Sequence, residues 1–385
     1  MKKILVIFGG RSVEHDVSIV TAINSVIKPL RLTKKYQVEP LYISKTGQWY
    51  WHEALADIET YTSGKINSLL KKLKPISLKF DQGLVLSTGG SISSRKLLID
   101  VVFPAMHGTY GEDGDLMGLL EMANVAYVGC DMPASAIAMN KVLAKQLAVA
   151  NGISTSNFLF YKNINYKENG QKIINEINTK LNWPLFVKPA HLGSSIGISR
   201  VNNNQELENA LELAFHYDDL VIVEEEVANL IEVTLPIIGN DVPEPAYLER
   251  PMLQQADFFD FDTKYLRGQK KGSKSSLGAS EGYSQVPADL PAKLYKSAET
   301  LALEVFKLFN LSGIARVDLL IDSKKSIVYF NEINQMPGSL YSHNFQKFGL
   351  SNVDLVERLI FFALEKYEQK NKLNSSFSTN YLKQF

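Results

Sequence analysis

Short apolar runs alternate with segments of helical periodicity along the first third of the chain, and this alternation constrains the fold most strongly. KILVIF, VEPLYI, DVVFPAM (100–106) and VAYVG predict buried strands, and GEDGDLMGLLEMA predicts a helix between the last two. SVEHDVSIVTAINSVI predicts a helix after the first strand, with Ser12 as its cap. Strands connected by helices indicate an α/β fold with a parallel sheet, whose ligands bind beyond the strand C-termini.

Two further units follow the first. The second contains the predicted strands FLFY, PLFVKPA, ISRV and LVIVEEE and the helices NKVLAKQLAVANG, KIINEINTKL and QELENALELAF. The third contains the strands IEVTLPII, ARVDLLI and SIVYFNEI and the helix SAETLALEVFKLF. Turn signals within about 51–98 predict a hairpin-bearing excursion rather than core. The Gly-, Ser- and Lys-rich segment 267–284 predicts a mobile lid or a disordered insert, and the polar end after 368 a frayed tail.

Charge and cysteine content exclude several classes of function. Lys plus Arg and Asp plus Glu are equal at 41 each, so no overall field recruits nucleic acid or an anionic membrane. Cys130 is the single cysteine, which excludes an internal disulfide and fits a reducing compartment. The first apolar run, ILVIF, is too short for a secretion signal, and no run approaches the roughly 20 residues that span a bilayer. We therefore predict a cytoplasmic protein without nucleic-acid or membrane partners.

Phosphate binding, if present, needs an unusual loop, because the chain has neither GxxxxGK[ST] nor GxGxxG. Lys188 ends an apolar strand and precedes HLGSSIG, whose backbone N–H groups and hydroxyls can cover phosphates. An ordinary turn with a solvated lysine explains the same pattern equally well. Lys141, at the start of a helix, is a second candidate cation or a plain surface lysine.

Oxygen-bearing side chains follow a two-residue spacing on two strands of the third unit. Arg316 and Asp318 share one face of their strand, and Glu332 and Asn334 share one face of the next. Such oxygens suit Mg²⁺ or Mn²⁺, whereas the alternative is a buried ion pair between strands. We favour the metal site, with Arg316 placed for a carboxylate or an oxyanion.

Two loops at strand ends of the first unit carry weaker signals. HGTYGEDGD (107–115) precedes a helix, where glycines and the helix N-terminus favour an anion. Glu112 and Asp113 can equally be first-turn acids that the helix dipole favours, which makes His107 a weaker candidate than its loop. Glu14 has the same ambiguity near the start of the first helix.

Several motifs occur together and in the order typical of one family: GGRSVEHDVS, HGTYGEDGDLMGLLE, AMNK, LFVKPAHLGSSIGIS, VIVEEE, FFDFDTKY, ARVDLL and NEINQMPG. The chain thus resembles the D-alanine–D-alanine ligase family of the ATP-grasp superfamily. The resemblance implies three domains: a Rossmann-like parallel α/β domain at 1–138 that binds the first substrate, and two α+β ATP-grasp subdomains. These span 139–227 and 228–367, with a lid near 258–286, ATP between the two subdomains, and a polar tail at 368–385.

The resemblance also implies a role for each site residue. The residues implied to bind ATP are Lys141 and Lys188 at the phosphates, Glu224 and Val227 at adenine, Glu232 at the ribose, and Phe258. Those implied to hold two Mg²⁺ ions, with Mn²⁺ possible, are Asp318, Glu332 and Asn334. Those implied to act on the first D-alanine and the oxyanion are Glu14, Ser194, Tyr265, Arg316 and the backbone N–H of Gly338. His107, Lys264 and Asn344 are implied to bind substrate.

The implied reaction forms a dipeptide for peptidoglycan synthesis through an acyl phosphate, and the family implies a homodimer. Tyr265 favours an amine acceptor over D-lactate. The segment SHNF (342–345) follows Gly338 with one residue more than the family pattern, which puts Asn344 at the usual serine. Two alternatives therefore stand beside the leading one: a ligase that joins a D-amino acid to another amine, and a non-catalytic ATP-binding protein.

Overall fold

The computed structural model describes residues 1–80, 83–88, 96–252, 284–374, 379 and 381–385. The strands of these ranges are β1 (Lys2–Gly9), β2 (Tyr36–Ile43), β3 (Trp49–Trp51), β4 (Ile76–Phe80), β5 (Leu84–Thr88), β6 (Lys96–Leu98), β7 (Val101–Pro104), β8 (Ala126–Tyr127), β9 (Phe158–Lys162), β10 (Leu185–Pro189), β11 (Ser199–Val201), β12 (Leu220–Glu225), β13 (Leu230–Gly239), β14 (Glu244–Pro245), β15 (Arg250–Pro251), β16 (Ser284–Gln285), β17 (Gly313–Asp322) and β18 (Ile327–Asn334).

Helices connect and cover these strands. They are α1 (His15–Val20), α2 (Lys28–Leu32), α3 (Ile58–Thr62), α4 (Ile66–Leu70), α5 (Asp115–Met122), α6 (Met132–Met139), α7 (Lys141–Ala150), α8 (Asn163–Lys180), α9 (Asn204–Tyr217), α10 (Ala292–Leu308), α11 (Ser342–Lys347) and α12 (Asn352–Asn371). A π-helical segment, Thr21–Ile27, joins α1 to α2. The short 3₁₀ turns are Glu53–Ala56, Gly338–Tyr341 and Tyr381–Gln384. In the part of the chain that the structure describes, no helix has the length and apolar character that a bilayer crossing requires.

The first sheet has the strand order β3-β2-β1-β7-β8 and confirms the predicted parallel arrangement. β1 pairs in parallel with β2 and β7, and β7 with β8, whereas β3 adds an antiparallel edge. Residues 4–8 of β1 are fully buried because helices and loops cover both faces of the sheet. Gly9 ends β1 with φ +90°, and a Cβ there would lie 2.2 Å from the carbonyl oxygen of Ile43. Glycine therefore lets the chain turn sharply at the C-terminal edge of the sheet.

The predicted start of the first helix was wrong by two residues. The helix begins at His15, and Glu14 occupies the N-cap position without a side-chain capping bond. The Ser12 hydroxyl instead accepts a hydrogen bond from the Glu14 N–H at 3.1 Å. A serine that bonds two residues ahead forms a local turn, which here precedes the helix.

The excursion at 51–98 contains the expected hairpin, formed by β4 and β5, with β6 as a third antiparallel strand. Its exclusion from the core was wrong. Leu84 and Leu86 of β5 are fully buried, in one hydrophobic cluster with Leu5 and Ile7 of β1. The hairpin therefore covers one side of the first sheet.

The central sheet is antiparallel, with the order β11-β10-β12-β9. One face packs against α8 and α9, where the buried residues include Ile177 and Leu211. The opposite face contacts α7 through a small cluster of Val142, Ala190 and Ile222. In the described ranges, the cluster under α8 and α9 is built from residues 159–223 alone.

The third sheet is also antiparallel, with the order β14-β13-β17-β18, and β15 and β16 form a separate two-stranded ribbon. Its core is not separate from that of the first sheet. One continuous cluster contains Ile4 and Phe8 from β1, Ile314 from β17 and Leu359 from α12. The first and third sheets are therefore joined through shared apolar side chains.

Candidate active site

Four polar side chains lie on the β17–β18 pair, in the arrangement that their spacing predicted. Arg316 is opposite Asn334, and Asp318 is opposite Glu332. Arg316 donates from Nε to Asp318 Oδ1 at 2.7 Å and from Nη2 to Oδ2 at 2.6 Å. Burial disfavours the guanidinium charge, but Asp318 more than compensates and raises the pKa of Arg316. The ladder register shifts directly after Asp318, and such irregularities commonly re-aim side chains at functional sites.

The donor set of these strands fits a hard divalent cation. Asp318, Glu332 and Asn334 contribute only oxygen ligands, which Mg²⁺ and Mn²⁺ prefer. The Asn334 Oδ1 accepts a hydrogen bond from the Met336 N–H at 3.2 Å. Lys141 Nζ lies 3.5 Å from Glu332 Oε2, so a phosphate bound by Lys141 would lie next to the carboxylates.

A buried carboxylate between two lysines organises the central part of the site. Lys188 on β10 donates to Glu224 Oε2 on β12 at 2.6 Å, and Lys145 Nζ on α7 lies 3.0 Å from Glu224 Oε1. Lys145 also donates to the Ser156 hydroxyl at 3.0 Å. The side chains of Lys145, Glu224 and Lys188 are 1%, 3% and 13% exposed. The ammonium groups are therefore held in place before any ligand binds.

The pKa values of this triad reflect both burial and charge. Burial alone would raise the pKa of Glu224, but the two lysines lower it to about 2. Burial lowers the pKa of Lys145 in spite of Glu224. Lys188 is also opposed by burial, but its pKa is raised because Glu224, Glu332 and Glu232 surround it. Lys188 thus keeps its charge, and three predicted site acids lie near it.

Glu14 lies in a space lined by two glycines. The Ser194 hydroxyl donates a short hydrogen bond to Glu14 Oε1, which links the first unit to the loop after β10. A Cβ at Gly108 would lie 2.9 Å from Glu14 Oε2, and a Cβ at Gly193 would lie 3.2 Å from it. The missing side chains leave room for this buried carboxylate, which is 8% exposed.

Glu112 ties the loop of the first unit to the end of β18. Its Oε2 accepts from the Gly108 N–H at 2.6 Å, and its Oε1 accepts from the Met336 N–H at 3.2 Å. Burial and the neighbouring Glu14 raise the pKa of Glu112 to about 8. The protonated form of Glu112 is therefore favoured at neutral pH.

His107, the first residue of this loop, is 2% exposed. Burial lowers its pKa to about 4, although a hydrogen bond to the Met336 backbone favours protonation, so the ring is neutral at pH 7. Its Nε2 lies 2.9 Å from Thr21 Oγ1, which also accepts from the Ser339 N–H at 3.0 Å. His107 thus connects the π-helical segment to the residues after β18.

Residues 339–341, after β18, adopt an unusual backbone conformation, with φ values of 53°, 54° and 51°. A non-glycine residue in the left-handed region costs on the order of 1–3 kcal/mol and persists where its surroundings impose it. The Tyr341 ring lies 5.2 Å from Arg316 Cζ, and its hydroxyl lies 3.1 Å from Thr234 Oγ1. This stretch therefore packs directly against the guanidinium of the site.

Asn344 lies in the interior and is 0% exposed. Its amide donates to the Tyr247 carbonyl at 2.9 Å and to Glu249 Oε2 at 3.1 Å, and its oxygen accepts from the Tyr247 N–H at 3.1 Å. Both amide hydrogens are engaged within the chain. Glu249 also contacts His343 Nε2 at 2.8 Å. Among the described residues, the hydrogen bonds of Asn344 go to Tyr247 and Glu249, and none goes to another predicted site residue.

Comparison with known proteins places this geometry in a family. The models described as D-ala D-ala ligase N-terminus and D-ala D-ala ligase C-terminus match residues 3–130 and 147–361. The chain belongs to the D-alanine–D-alanine ligase family. It is 36% identical to the D-alanine–D-alanine ligase of Chloroherpeton thalassium over 96% of this chain and 98% of that protein.

Solved structures of such ligases share the fold. The D-alanine–D-alanine ligase from Coxiella burnetii has a TM-score of 0.77 and 28% identity, over 96% of each chain. The VanG D-Ala:D-Ser ligase from Enterococcus faecalis has a TM-score of 0.77 and 32% identity, over 94% of this chain and 99% of that one. The ATP-grasp fold and membership in a family of ATP-dependent ligases, both predicted from the motifs, are confirmed.

The described part of the ligase brings most of the predicted site residues together. Arg316, Asp318, Glu332 and Asn334 share one strand pair, with Gly338 four residues further on, in the turn after β18. The predicted ATP-binding residues Val227 and Glu232 are half-buried just after β12 and on β13. Their contacts with nucleotide, like every ligand contact of the site, stay predictions. Phe258, Lys264 and Tyr265 lie outside the described residues.

The sequence interpretation missed Lys145 and the buried position of Glu224. Lys141 and Lys145 are four residues apart on α7, a spacing that puts both on one helix face. That spacing was the signal available in the sequence. Glu224, expected at adenine, directs its carboxylate to Lys145 and Lys188. Its contact with adenine stays a prediction.

Proposed function

We propose that this protein is an ATP-dependent D-alanine–D-alanine ligase that forms the dipeptide for peptidoglycan synthesis. The observation that carries the proposal is the convergence of three kinds of group. These are the cations Lys141 and Lys188, the oxygen ligands on β17 and β18, and the buried Glu14 beyond the C-terminal end of β1. An enzyme that activates the carboxylate of an amino acid with ATP needs all three.

In the first step, the carboxylate of one D-alanine attacks the γ-phosphate of ATP, giving an acyl phosphate and ADP. Glu14, held by Ser194, accepts the ammonium group and orients the substrate. Lys141 and Lys188 neutralise phosphate charge, because phosphoryl transfer depends mainly on positioning and electrostatic stabilisation. The Lys188 ammonium is already fixed at 2.6 Å from Glu224, so its orientation costs little on binding.

In the second step, the amine of the second amino acid attacks the acyl carbonyl, and phosphate leaves. Arg316 and the backbone N–H of Gly338 stabilise the oxyanion that forms on that carbonyl. Asp318 holds the guanidinium through two hydrogen bonds, so the donor is preorganised. Water must be excluded throughout because it hydrolyses an acyl phosphate.

Asp318, Glu332 and Asn334 would hold Mg²⁺, with Mn²⁺ as a substitute. Bound there, the metal would neutralise the negative charge of the phosphate oxygens. The 3.5 Å distance from Glu332 to Lys141 is consistent with one phosphate-binding region shared by the metal ligands and the lysine.

The direct test is phosphate release from ATP by the purified protein with Mg²⁺ and D-alanine, together with detection of the dipeptide. We expect release that depends on D-alanine and stops when Mg²⁺ is chelated. The substitution Arg316→Met serves as the inactive control. ATP turnover without any dipeptide would overturn the proposal.

A second candidate is a ligase that joins D-alanine to another amine. The extra residue before Asn344, the left-handed stretch 339–341 and the similarity to a D-Ala:D-Ser ligase favour this possibility. The two functions are separated by a phosphate-release screen with D-alanine fixed as donor and D-serine or other amines as acceptors. A higher kcat/KM for another acceptor than for D-alanine would select the second candidate.

The family resemblance also supports two properties of the assembled protein. We propose that it is a homodimer and that it acts in the cytoplasm, where ATP is available. Sedimentation equilibrium of the purified protein tests the first property, with twice the chain mass of 43.1 kDa as the expected result.

A further inference from the structure

Several hydrogen bonds join the start of the loop after β10 to the start of α7. The Lys141 N–H donates to the Ala190 carbonyl at 3.0 Å, and Lys141 Nζ donates to the Leu192 carbonyl at 2.6 Å. Between these two carbonyls lies His191, whose N–H donates to Asp218 Oδ2 at 2.7 Å. The position of Lys141 and the path of the loop are therefore coupled through residues 190–192.

The His191 ring bridges two elements. Its Nδ1 lies 3.0 Å from each carboxylate oxygen of Asp218, which lies between α9 and β12. Its Nε2 lies 2.8 Å from Nδ2 of Asn140, the N-cap residue of α7. The ring thus connects the central sheet to the helix that begins with Lys141.

The capping bonds of Asn140 determine the tautomer of His191. Asn140 Oδ1 accepts from the N–H groups of Val142 and Leu143, both at 3.0 Å. The amide nitrogen must then face His191, and an NH₂ group is only a donor. Nε2 therefore accepts and carries no proton, whereas Nδ1 carries the proton and donates to Asp218.

The same side chains suggest a metal site at first sight. One ligand atom each from His191, Asp218 and Asp219 lies within 4.8 Å of the others. However, Nδ1 is used toward Asp218 and Nε2 accepts from Asn140, so the ring has no lone pair left for a cation. These side chains therefore fit a role in positioning the loop better than a role in binding a metal.

We propose that His191 is a positioning residue for ATP: by bridging Asp218 and Asn140, it holds the loop 191–197 and Lys141 in the arrangement that receives the phosphates. The inference rests on the proposed function. His191 does not contact the nucleotide itself in this scheme. Its effect passes through the backbone carbonyl of Leu192, which fixes Lys141 Nζ, and through the loop that continues to Ser194.

Protonation of His191 should weaken the bridge. The charged groups that face the ring are Asp218 and Asp219, which favour the imidazolium, and Lys141, which opposes it; the hydrogen bond with Asp218 is the largest effect and raises the pKa above 6.5. An imidazolium carries a proton on Nε2, which would point at the Asn140 NH₂ group. As the pH falls through this pKa, the Asn140 contact is lost, and the KM for ATP should rise.

Two substitutions test the bridge from opposite sides. His191→Asn keeps a donor for Asp218 but lacks the Nε2 acceptor. Asn140→Asp keeps a good N-cap but turns the donor that faces Nε2 into an acceptor, which then favours the imidazolium between two carboxylates. The control is His216→Ala, an exposed histidine on α9.

The measurements are kcat and the KM values for ATP and D-alanine across pH, and the binding of a fluorescent ATP analogue with Mg²⁺. We expect His191→Asn to raise the KM for ATP about tenfold near neutral pH, the effect of losing one hydrogen bond in a charged network. For the wild type we expect the KM for ATP to rise toward acid pH, and we expect His191→Asn not to show this rise. In Asn140→Asp the trend with pH should reverse, with the lower KM for ATP on the acid side. The His216→Ala variant should behave as the wild type does.

An unchanged pH profile in both bridge variants, or an equal change in His216→Ala, would overturn the inference. Binding of the fluorescent analogue separates this outcome from failure of the proposed function. A wild type that binds the analogue but forms no dipeptide refutes the ligase assignment alone. The binding profiles of the variants still test the positioning of the phosphates.

Discussion

Replacement of Glu224 by Gln tests whether burial, rather than distance, gives the lysine–carboxylate triad its strength. Glu224 lies 2.6 Å from Lys188 with side chains 3% and 13% exposed. On the surface of α8, Glu176 lies at the same 2.6 Å from Lys180, but these side chains are 37% and 58% exposed. Glu176→Gln is therefore a control that matches the distance and differs in burial.

The magnitude follows from the pKa of the buried carboxyl. A decrease from 4.5 to about 2 corresponds to about 3 kcal/mol of preference for the charged form, at about 1.4 kcal/mol per pH unit. Removal of one partner of a buried ion pair costs roughly 3–5 kcal/mol, because it leaves a charge buried without compensation. An exposed pair four residues apart on a helix contributes about 0.3–0.5 kcal/mol. We expect a loss of about 3 kcal/mol for Glu224→Gln and less than about 0.5 kcal/mol for Glu176→Gln.

Native-state hydrogen exchange of β10 and β12 measures this difference, because it reports the local free energy of opening. A loss of about 3 kcal/mol corresponds to roughly 100-fold faster exchange. Because the folded pKa of Glu224 is depressed, its stabilisation is present above pH 4.5 and is lost as the pH falls toward about 2. The difference between wild type and Glu224→Gln should shrink over that interval. Equal effects of the two Gln substitutions at neutral pH would refute the reasoning.

Three further substitutions probe the strand pair and its packing, and a fourth, Gly64→Ala, serves as the control for the last of them. Glu332→Gln should abolish phosphate release in the ligase assay because a metal-bridging charge is lost, and near-normal activity would contradict the metal assignment. Arg316→Lys should lower kcat by about 100-fold, because a lysine cannot reproduce the two-point contact with Asp318, and a kcat within threefold of wild type would count against the oxyanion role. Gly313→Ala should lower the free energy of unfolding by more than about 2 kcal/mol, because its φ is +73° and a Cβ would lie 2.8 Å from the backbone nitrogen of Gly129. Gly64→Ala, with φ +71° and no atom within 4 Å, should cost only the backbone strain of about 1–2 kcal/mol.

Features that depend on local periodicity could be predicted from the sequence. The two-residue spacing of Arg316 and Asp318, and of Glu332 and Asn334, is enough to place each pair on one strand face. The alternation of apolar runs and helices indicated the parallel first sheet. The predicted helix NKVLAKQLAVANG closes with Asn151 and Gly152, a known helix stop, and α7 ends at Ala150, directly before them.

Features that depend on docking between distant segments could not be predicted in the same way. Glu112 accepts a hydrogen bond from Met336, 224 positions later in the chain. Ser194 reaches Glu14 over 180 positions. No periodic pattern encodes such pairs, because they form only after the sheets have packed. Ser12 shows a local limit too: its hydroxyl can cap a helix or close a turn, and the choice depends on surrounding contacts.

The continuous cluster that joins β1, β17 and α12 has a consequence for how nucleotide enters and leaves. Rotation of the first sheet against the third would expose Ile4, Ile314 and Leu359 to water, at about 1.5–3 kcal/mol for each side chain. The sheet of β9 to β12 has its own core under α8 and α9, and its opposite face shares only the small cluster of Val142, Ala190 and Ile222 with α7, so its rotation would expose less apolar surface. Lys188 is on the sheet of β9 to β12, whereas the predicted metal ligands are on β17 and β18, in the third sheet. We therefore expect one hinged motion between these sheets to separate the phosphates from the metal. The rate of ADP release would then depend on the flexibility of the two chain connections, one before β9 and one after β12.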